Sequence, residues 1–275
     1  MPGQGQSPND PADLRALESL LAFWAEAGVD ACFEDEPVDR IAERARPARP
    51  TATITPILPA AVASAGPDVA GALETARQAA AAARDLTELA AAIAAFDGCS
   101  LKFEGARQAV FSRGAGDAPV MVIGEAPGAE EDQQGAPFVG RAGRLLDRML
   151  AAAGLEGRVF ITNTVYWRPP GNRTPSPAEQ LVCSPFLERA IALVNPKILL
   201  LAGGASAKAL LQRPEGILTL RGRWFDWRSA DESLTVPAMP TLHPAFLLRQ
   251  PAAKKRAWAD LLTLTERLDR PDRPE

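Results

Sequence analysis

Cysteine and long apolar runs are scarce in this chain. Its three cysteines, an odd number, stand far apart at Cys32, Cys99 and Cys183. Such a set forms no disulfide framework and indicates a reducing compartment. No window reaches the roughly 18 apolar residues that a membrane span requires. The opening segment MPGQGQSPND lacks the basic and apolar regions of a signal peptide. We therefore expect a soluble, cytoplasmic protein.

Positive charge is also in deficit, since the formal net charge is −4. Taken alone, this balance argues against a nucleic-acid partner. The distribution reverses that impression, because residues 1–100 hold 7 basic and 15 acidic residues and leave 23 basic and 19 acidic residues to 101–275. The acidity belongs to the N-terminal part, and the mildly basic remainder is compatible with contact to phosphate groups.

The chain divides into three parts by composition. Residues 1–36 carry an apolar stripe at helical spacing and predict a small helical appendage. Residues 37–68 are rich in proline and alanine and predict a flexible linker. Residues 69–275 are long enough to bury one sizeable core and are expected to form the main domain, beginning with an alanine-rich helix over roughly 69–95.

Beyond residue 100, apolar strands alternate with helical segments, which is typical of a parallel sheet covered on both faces. We predict strands near 119–123, 158–162, 197–202 and 236–241, and helices near 140–153, 177–194, 205–212 and 254–268. The fold class is therefore α/β: a three-layer α/β/α sandwich around a central parallel four-stranded sheet, with the N-terminal helical appendage.

Polar or flexible residues follow each of the four predicted strands. Glu125, Asn163, Gly203-Gly204 and His243 all come just past a strand end. In open α/β sheets the crevice beyond the carboxyl ends of the strands is where ligands bind. Residues far apart in sequence can therefore converge there. His243 is the only histidine of the chain, so it is a candidate for a chemical role as well as for a structural one.

Five motifs occur in order along this part of the chain. They are GEAPG with the following Glu131-Asp132, GAPFVGRAG, Ile161-Thr162-Asn163, RPPGNRTP from Arg168 to Pro175, and His243-Pro244. Together they resemble the uracil-DNA glycosylase superfamily, and within it the family-four type, usually described as bacterial and archaeal iron-sulfur enzymes. The resemblance extends from about residue 96 to residue 268. It implies excision of a flipped base from DNA.

The resemblance also implies roles for individual residues. Phe138 would form the flat wall against which the base stacks. Asn163 would read the uracil edge, and His243 would donate a hydrogen bond to the departing base. Glu125 would act on water or on the cationic sugar. Ala126 lies in the substrate-binding turn and stands where the better-known family one has an aspartate.

Each of these residues also has a structural interpretation. Phe138 could belong to the core, and Asn163 could cap a loop. Glu131 and Asp132 lie close enough to Glu125 to compete for the role on water, although Asp132 is expected to hold the loop instead. The assignment among the three carboxylates stays open at the level of sequence.

DNA contacts are expected beyond the histidine. Leu247 and Leu248 have the composition of a wedge that fills the gap left by a flipped nucleotide, while Arg249 meets phosphate. The alternative for this segment is a hydrophobic contact at a helix start. Arg168 and Arg173 are further phosphate candidates, although charged residues are commonly just solvated surface. The same applies to Arg221, Arg223, Lys254, Lys255 and Arg256.

The chain departs from the family at the iron site. Family-four enzymes hold a [4Fe–4S] cluster with four cysteines. Here Phe96 and Trp167 occupy two of these positions, and only Cys99 and Cys183 remain. Cys32 could not complete a four-thiolate site. We expect no cofactor, and we expect the two aromatic side chains to touch each other beside the remaining cysteines.

The leading hypothesis is a monofunctional uracil-DNA glycosylase that hydrolyses the N-glycosidic bond of deoxyuridine and so initiates base-excision repair. A catalytically weak protein that binds uracil or DNA damage is the first alternative. A nucleotide-binding α/β protein is a second, although the chain lacks a Walker lysine after the first glycine loop. The expected partner is uracil-containing DNA, with no membrane. We expect a monomer, with residues 1–68 available to recruit a protein partner.

Overall fold

This computed structural model describes residues 69–270. The predicted appendage, 1–36, and linker, 37–68, lie outside the described residues, as do residues 271–275. Within the described part, no helix combines the length and the apolar character needed to cross a bilayer.

The described residues form a six-stranded sheet flanked by helices. The strands are β1 (Ser112–Gly114), β2 (Val120–Gly124), β3 (Val159–Asn163), β4 (Ile198–Ala202), β5 (Phe225–Arg228) and β6 (Thr235–Thr241). Their order across the sheet is β1-β3-β2-β4-β6-β5. The central four are parallel, whereas β1 and β5 pair antiparallel at the two edges. The α/β fold with a parallel four-stranded centre is confirmed.

Nine α-helices connect or cover these strands in the described part of the chain. They are α1 (Val69–Ala82), α2 (Leu86–Ala95), α3 (Ala129–Gln134), α4 (Arg141–Ala152), α5 (Pro177–Val194), α6 (Gly204–Leu211), α7 (Ile217–Leu220), α8 (Pro244–Arg249) and α9 (Lys254–Asp269). The four longer helices predicted beyond residue 100 all occur within about two residues of their predicted bounds.

Alternation along the strands divides the core between the two faces of the sheet. Met121 and Ile123 of β2 join the apolar cluster that includes residues of α1 and α5. Val120 and Val122 join the opposite cluster, with residues of α4 and α9. Because both faces are covered, the central strands are apolar at nearly every position rather than at every second one. This continuous apolar character is what made them predictable.

Two local features differ from the sequence expectation. The single helix expected over 69–95 is two helices, because Asp85 caps the second by accepting a hydrogen bond from the Glu88 N–H. The edge strands β1 and β5 were not predicted. They are three and four residues long, too short to show a clear period.

Candidate active site

A cleft of about 530 Å³ opens at the carboxyl edge of the sheet. The turn after β2, the loop before α4, the 169–174 segment and the start of α8 all contribute to its lining. We call it the sheet-edge cleft. Six of the predicted site residues line it: Glu125, Ala126, Phe138, Arg173, His243 and Arg249. The convergence expected from the strand ends therefore occurs.

Phe138 is held in the left-handed backbone region, with a φ of 55°. The helix that follows explains how this is possible. A Cβ at Gly143 would stand 1.7 Å from the Phe138 carbonyl oxygen, so only glycine allows helix α4 to approach this backbone. The ring is mostly buried, yet it lines the cleft. The glycine spacing of GAPFVGRAG thus serves to fix the aromatic wall.

Asn163 ends β3 and is 1% exposed, and it is not among the residues that line the cleft. Both of its side-chain polar atoms, Oδ1 and Nδ2, are buried without a hydrogen-bond partner. A Cβ at Gly124 would stand 2.4 Å from Asn163 Oδ1 and 2.5 Å from the Phe138 ring, which places amide and ring side by side. An unpaired buried amide costs about 1–3 kcal/mol and calls for an explanation such as a ligand.

His243 precedes α8 and is partly buried. Its Nδ1 accepts a hydrogen bond from the Ala245 backbone N–H at 3.1 Å, so the proton of the neutral ring is on Nε2. Burial, and secondarily the charge of Arg249, lowers the pKa of His243 from 6.5 to about 4. The ring centroid lies 5.6 Å from that of Phe138. At neutral pH the cleft therefore contains a neutral imidazole with one hydrogen-bond donor.

The three candidate carboxylates differ in their partners. Glu131 accepts hydrogen bonds from the backbone N–H groups of Gly128 and Gly140, at 3.1 and 2.8 Å. Asp132 is buried and accepts from the Arg107 N–H at 2.8 Å. Both therefore hold loops in place. Glu125 lines the cleft, and within the described residues its carboxylate has no hydrogen-bond partner.

The segment predicted as a wedge forms the short helix α8. Leu247 is fully buried and packs with Leu145, Leu242 and Ala257. It is thus part of the core and is not placed to contact DNA. Leu248, one residue on, is only partly buried and faces a neighbouring groove on α4. The two leucines lie on different faces of α8, and composition does not reveal which face is buried.

The predicted phosphate contacts also separate by their partners. Arg173 is on the cleft rim, but its guanidinium donates to both oxygens of Glu179, at 2.7 and 2.9 Å, and to Glu104. Arg168 donates to the Asn172 side chain at 2.7 Å. Arg249 is exposed and lines the cleft. Arg249 is therefore the better phosphate candidate, while Arg173 has a structural ion pair that competes with that role.

The more distant basic residues are not at the cleft. Arg221 bonds to the buried carboxylate of Asp260, and Arg223 lies over the Phe225 ring. Lys254, Lys255 and Arg256 are the first three residues of α9. None of these side chains lines the sheet-edge cleft.

Phe96 and Trp167 are buried and face each other, with ring centroids 6.5 Å apart. Tyr166 and Phe186 complete the group, at 6.3 Å from one another. We call these four side chains the aromatic core. The expectation that the two substituted positions touch each other is confirmed.

Cys99 and Cys183 are both free and fully buried. They hydrogen-bond to each other, and this bond together with burial raises the pKa of Cys183 well above its ordinary value. Two cysteines beside packed aromatic rings do not supply the four thiolates that a [4Fe–4S] cluster requires. The residues present at this site do not fit that group.

Two residues important for the geometry of the cleft were missed. Arg113 on the edge strand β1 donates to the carbonyl oxygens of Pro137 and Phe138, at 2.7 and 3.0 Å, and so holds the aromatic wall. Thr164 donates its hydroxyl to the Glu125 carbonyl oxygen at 2.6 Å. Its place directly after Asn163 was a usable signal. No sequence signal pointed to Arg113, because β1 itself was not predicted.

A sequence model of the uracil DNA glycosylase superfamily matches residues 111–262. The chain is 40% identical over 183 residues to the type-4 uracil-DNA glycosylase of Pyrobaculum aerophilum, covering 64% of this chain and 91% of the relative. The type-4 uracil-DNA glycosylase of Saccharolobus solfataricus is 40% identical over 168 residues, with 59% and 77% coverage. That of Thermotoga maritima is 39% identical over 142 residues, with 51% and 71% coverage. The chain therefore belongs to the uracil-DNA glycosylase superfamily and is similar to its type-4 members.

Proposed function

We propose that this protein is a monofunctional uracil-DNA glycosylase, which removes uracil from DNA and leaves an abasic site. The observation that carries the proposal is the unpaired Asn163 amide beside the Phe138 ring. An unpaired buried amide lowers stability, and a flat base edge supplies a matching donor and acceptor that would remove this cost.

The amide provides base selection. Its oxygen accepts from N3–H of uracil, and its nitrogen donates to O4. Cytosine has an unprotonated N3 and an amino group in place of O4, so both contacts would fail and would leave buried polar groups unpaired. Stacking on Phe138 adds about 1–3 kcal/mol for any base and does not discriminate.

His243 and Glu125 act on the bond that breaks. The bond between C1′ and N1 of the base breaks with its electron pair going to uracil, and a donor from His243 Nε2 stabilises the charge that builds on O2. Water adds to C1′, and the proton it releases neutralises the departing base. Glu125, which has no other partner, orients this water or stabilises the cationic sugar. No lysine is among the cleft residues in the described part, in keeping with hydrolysis without a lyase step.

The first test is excision from a labelled oligonucleotide with one deoxyuridine, single-stranded and duplex, read by strand cleavage after alkali. His243→Ala and Asn163→Ala should each lower the excision rate by a factor of about 100 to 1,000, as loss of one transition-state donor does elsewhere. Arg228→Gln, an exposed arginine on β5 away from the cleft, should leave it unchanged.

The outcome also decides between this function and its alternative. Absence of product from the wild type, with binding to uracil-containing DNA retained, would replace the proposal by a damage-binding protein that has lost turnover. Product formation that persists in both cleft variants would show that the pocket is elsewhere.

We also infer that this glycosylase works without an iron-sulfur cluster. Phe96 and Trp167 of the aromatic core occupy two of the four ligand positions, and the packed rings leave no room for the cluster. Protein purified and reconstituted without oxygen should contain no iron and no visible iron-sulfur absorbance. Iron near one cluster per chain would contradict this. The double variant Phe96→Cys/Trp167→Cys restores the full set of thiols and is the matched control for the reconstitution.

A further inference from the structure

A second concave surface, of about 670 Å³, adjoins the sheet-edge cleft. Its lining is formed by Arg141, Arg144, Asp147 and Arg148 of α4 together with Leu248 of α8. We call it the arginine groove. All four charged side chains are on exposed residues, and none of them was singled out by the sequence.

The positive charge of the groove is not cancelled by its own carboxylate. Asp147 is engaged by Arg113 from β1, at 2.6 Å. Arg144 forms a solvent-exposed pair with Glu130, which contributes little, and donates to the Val139 carbonyl oxygen at 3.1 Å. Within the described residues, Arg141 and Arg148 have no ion pair or hydrogen bond for their side chains. Two cations are therefore available to a ligand of opposite charge.

The spacing of these cations suits a chain of phosphates. Arg141, Arg144 and Arg148 repeat at three and four residues, so they share one face of α4. At 1.5 Å per residue, Arg141 and Arg148 are separated by about 10 Å along the helix axis. Along the axis of a duplex each strand carries one phosphate per about 3.4 Å, and the phosphates lie farther apart along the backbone itself. The stripe is therefore long enough to face more than one phosphate of a strand.

The groove is continuous with the cleft. Ala142 lines the cleft while its neighbour Arg141 lines the groove, and Arg249 and Leu248 divide in the same way. Helices α4 and α8 pack against each other, which fixes the relative position of the two surfaces. A strand whose nucleotide enters the cleft can therefore continue across α8 into the groove.

We propose that the arginine groove binds the phosphodiester backbone of the DNA strand that carries the flipped uridine, with Leu248 at the border between backbone and pocket. The proposal rests on the proposed function, since it concerns the same substrate. Phosphate contacts of this kind fix the register of a strand without reading its sequence.

The experiment measures binding of a fluorescent, uracil-free single-stranded oligonucleotide across 50 to 200 mM salt. The double variant Arg141→Gln/Arg148→Gln should weaken binding and reduce the slope of log K against log salt by about 1.4, about 0.7 for each lost contact. In excision assays kcat/KM should decrease, chiefly because KM rises. The matched control is Arg228→Gln, which removes one exposed arginine from β5 and should keep the wild-type slope.

An unchanged slope in the double variant, with a melting temperature equal to wild type, would overturn the groove while leaving excision by the wild type intact. Absence of excision by the wild type would instead remove the proposed function, and the binding slopes are measured independently of it. A charge reversal, Arg148→Glu, gives a second reading when compared with the single variant Arg148→Gln, because repulsion should weaken DNA binding further than neutralisation of the same residue does. Equal affinity for Arg148→Glu and Arg148→Gln would also count against the groove.

Discussion

Lowering the pH should stop uracil excision near pH 4 rather than near pH 6.5, if His243 acts as a neutral donor. Its pKa is lowered to about 4, by burial first and by Arg249 second. At pH 5 a ring with this pKa is about 90% neutral, whereas an ordinary imidazole would be about 3% neutral. The two cases differ about 30-fold in the active form at a pH where the measurement is straightforward.

Protonation would also change the site itself. The Nδ1 atom that accepts from Ala245 N–H would become a donor, so this hydrogen bond would be lost. Protonation of His243 also makes the free energy of unfolding depend on pH. The unfolded chain takes up the proton below pH 6.5 and the folded chain only near 4, so the free energy of unfolding falls between these values by at most about 3 kcal/mol. Circular dichroism over the same range separates unfolding from loss of chemistry.

The assay has an unusual advantage, since His243 is the only histidine of the chain. Imidazole-labelled protein gives one titrating NMR signal, to be compared with single-turnover excision rates from pH 3.5 to 8. Arg249→Gln should raise this pKa by a few tenths of a unit, because an exposed charge is largely screened. A pKa of 6 or above, or a rate that already falls between pH 7 and 5, would refute the role assigned to the neutral ring.

Three substitutions test other parts of the structure. Gly124→Ala inserts a methyl group between the amide and the ring of the cleft and should lower excision by about 100-fold, while Gly216→Ala, which meets open space, should not. Glu179→Gln should reduce the free energy of unfolding by about 1–2 kcal/mol at pH 7, since Arg173 is 42% exposed and screening reduces the pair. Urea titrations should show this difference disappearing as the pH falls from 4.5 towards 2, where the Glu179 pKa lies. Phe96→Ala should cost about 3–5 kcal/mol in the same assay, because the aromatic core would contain a cavity.

These expectations fail in distinct ways. Full excision by the Gly124 variant would mean that the Asn163 amide does not read the base. A difference between Glu179 and glutamine that persists at pH 2 would mean that charge is not its source. A loss below about 1 kcal/mol for Phe96→Ala would show that the site collapses around the gap, so that its packing contributes little.

The central strands and the residues after them were predictable from local sequence. A buried parallel strand is apolar at almost every position, and the polar residue where it stops is visible in the sequence, as with Asn163 and His243. The turn after each strand then placed Glu125 and Phe138 at one edge. These features depend on neighbours in the chain, which is why they could be found without a structure.

The parts that sequence did not give depend on distant partners. Arg173 resembles a free phosphate contact until Glu104 and Glu179 are seen beside it. Leu247 and Leu248 are adjacent and chemically alike, and only the packing of α8 makes one of them core. The sequence of a segment does not show which distant residues will contact it. The segment alone therefore cannot tell whether a leucine is buried or whether an arginine is paired.

The network around Glu179 connects the aromatic core to the cleft. Ser100, next to buried Cys99, is within hydrogen-bonding distance of Glu179 at 3.3 Å, and Arg173 on the cleft rim donates to the same carboxylate. The aromatic core thus supports a segment that lines the substrate site, although it touches none of the groups assigned to chemistry. Disruption of the aromatic core should therefore lower the free energy of unfolding and raise KM before it lowers kcat. If aromatic packing stands in for a cluster here, as we propose, we expect the chemistry to be kept and only the support of the cleft rim to differ.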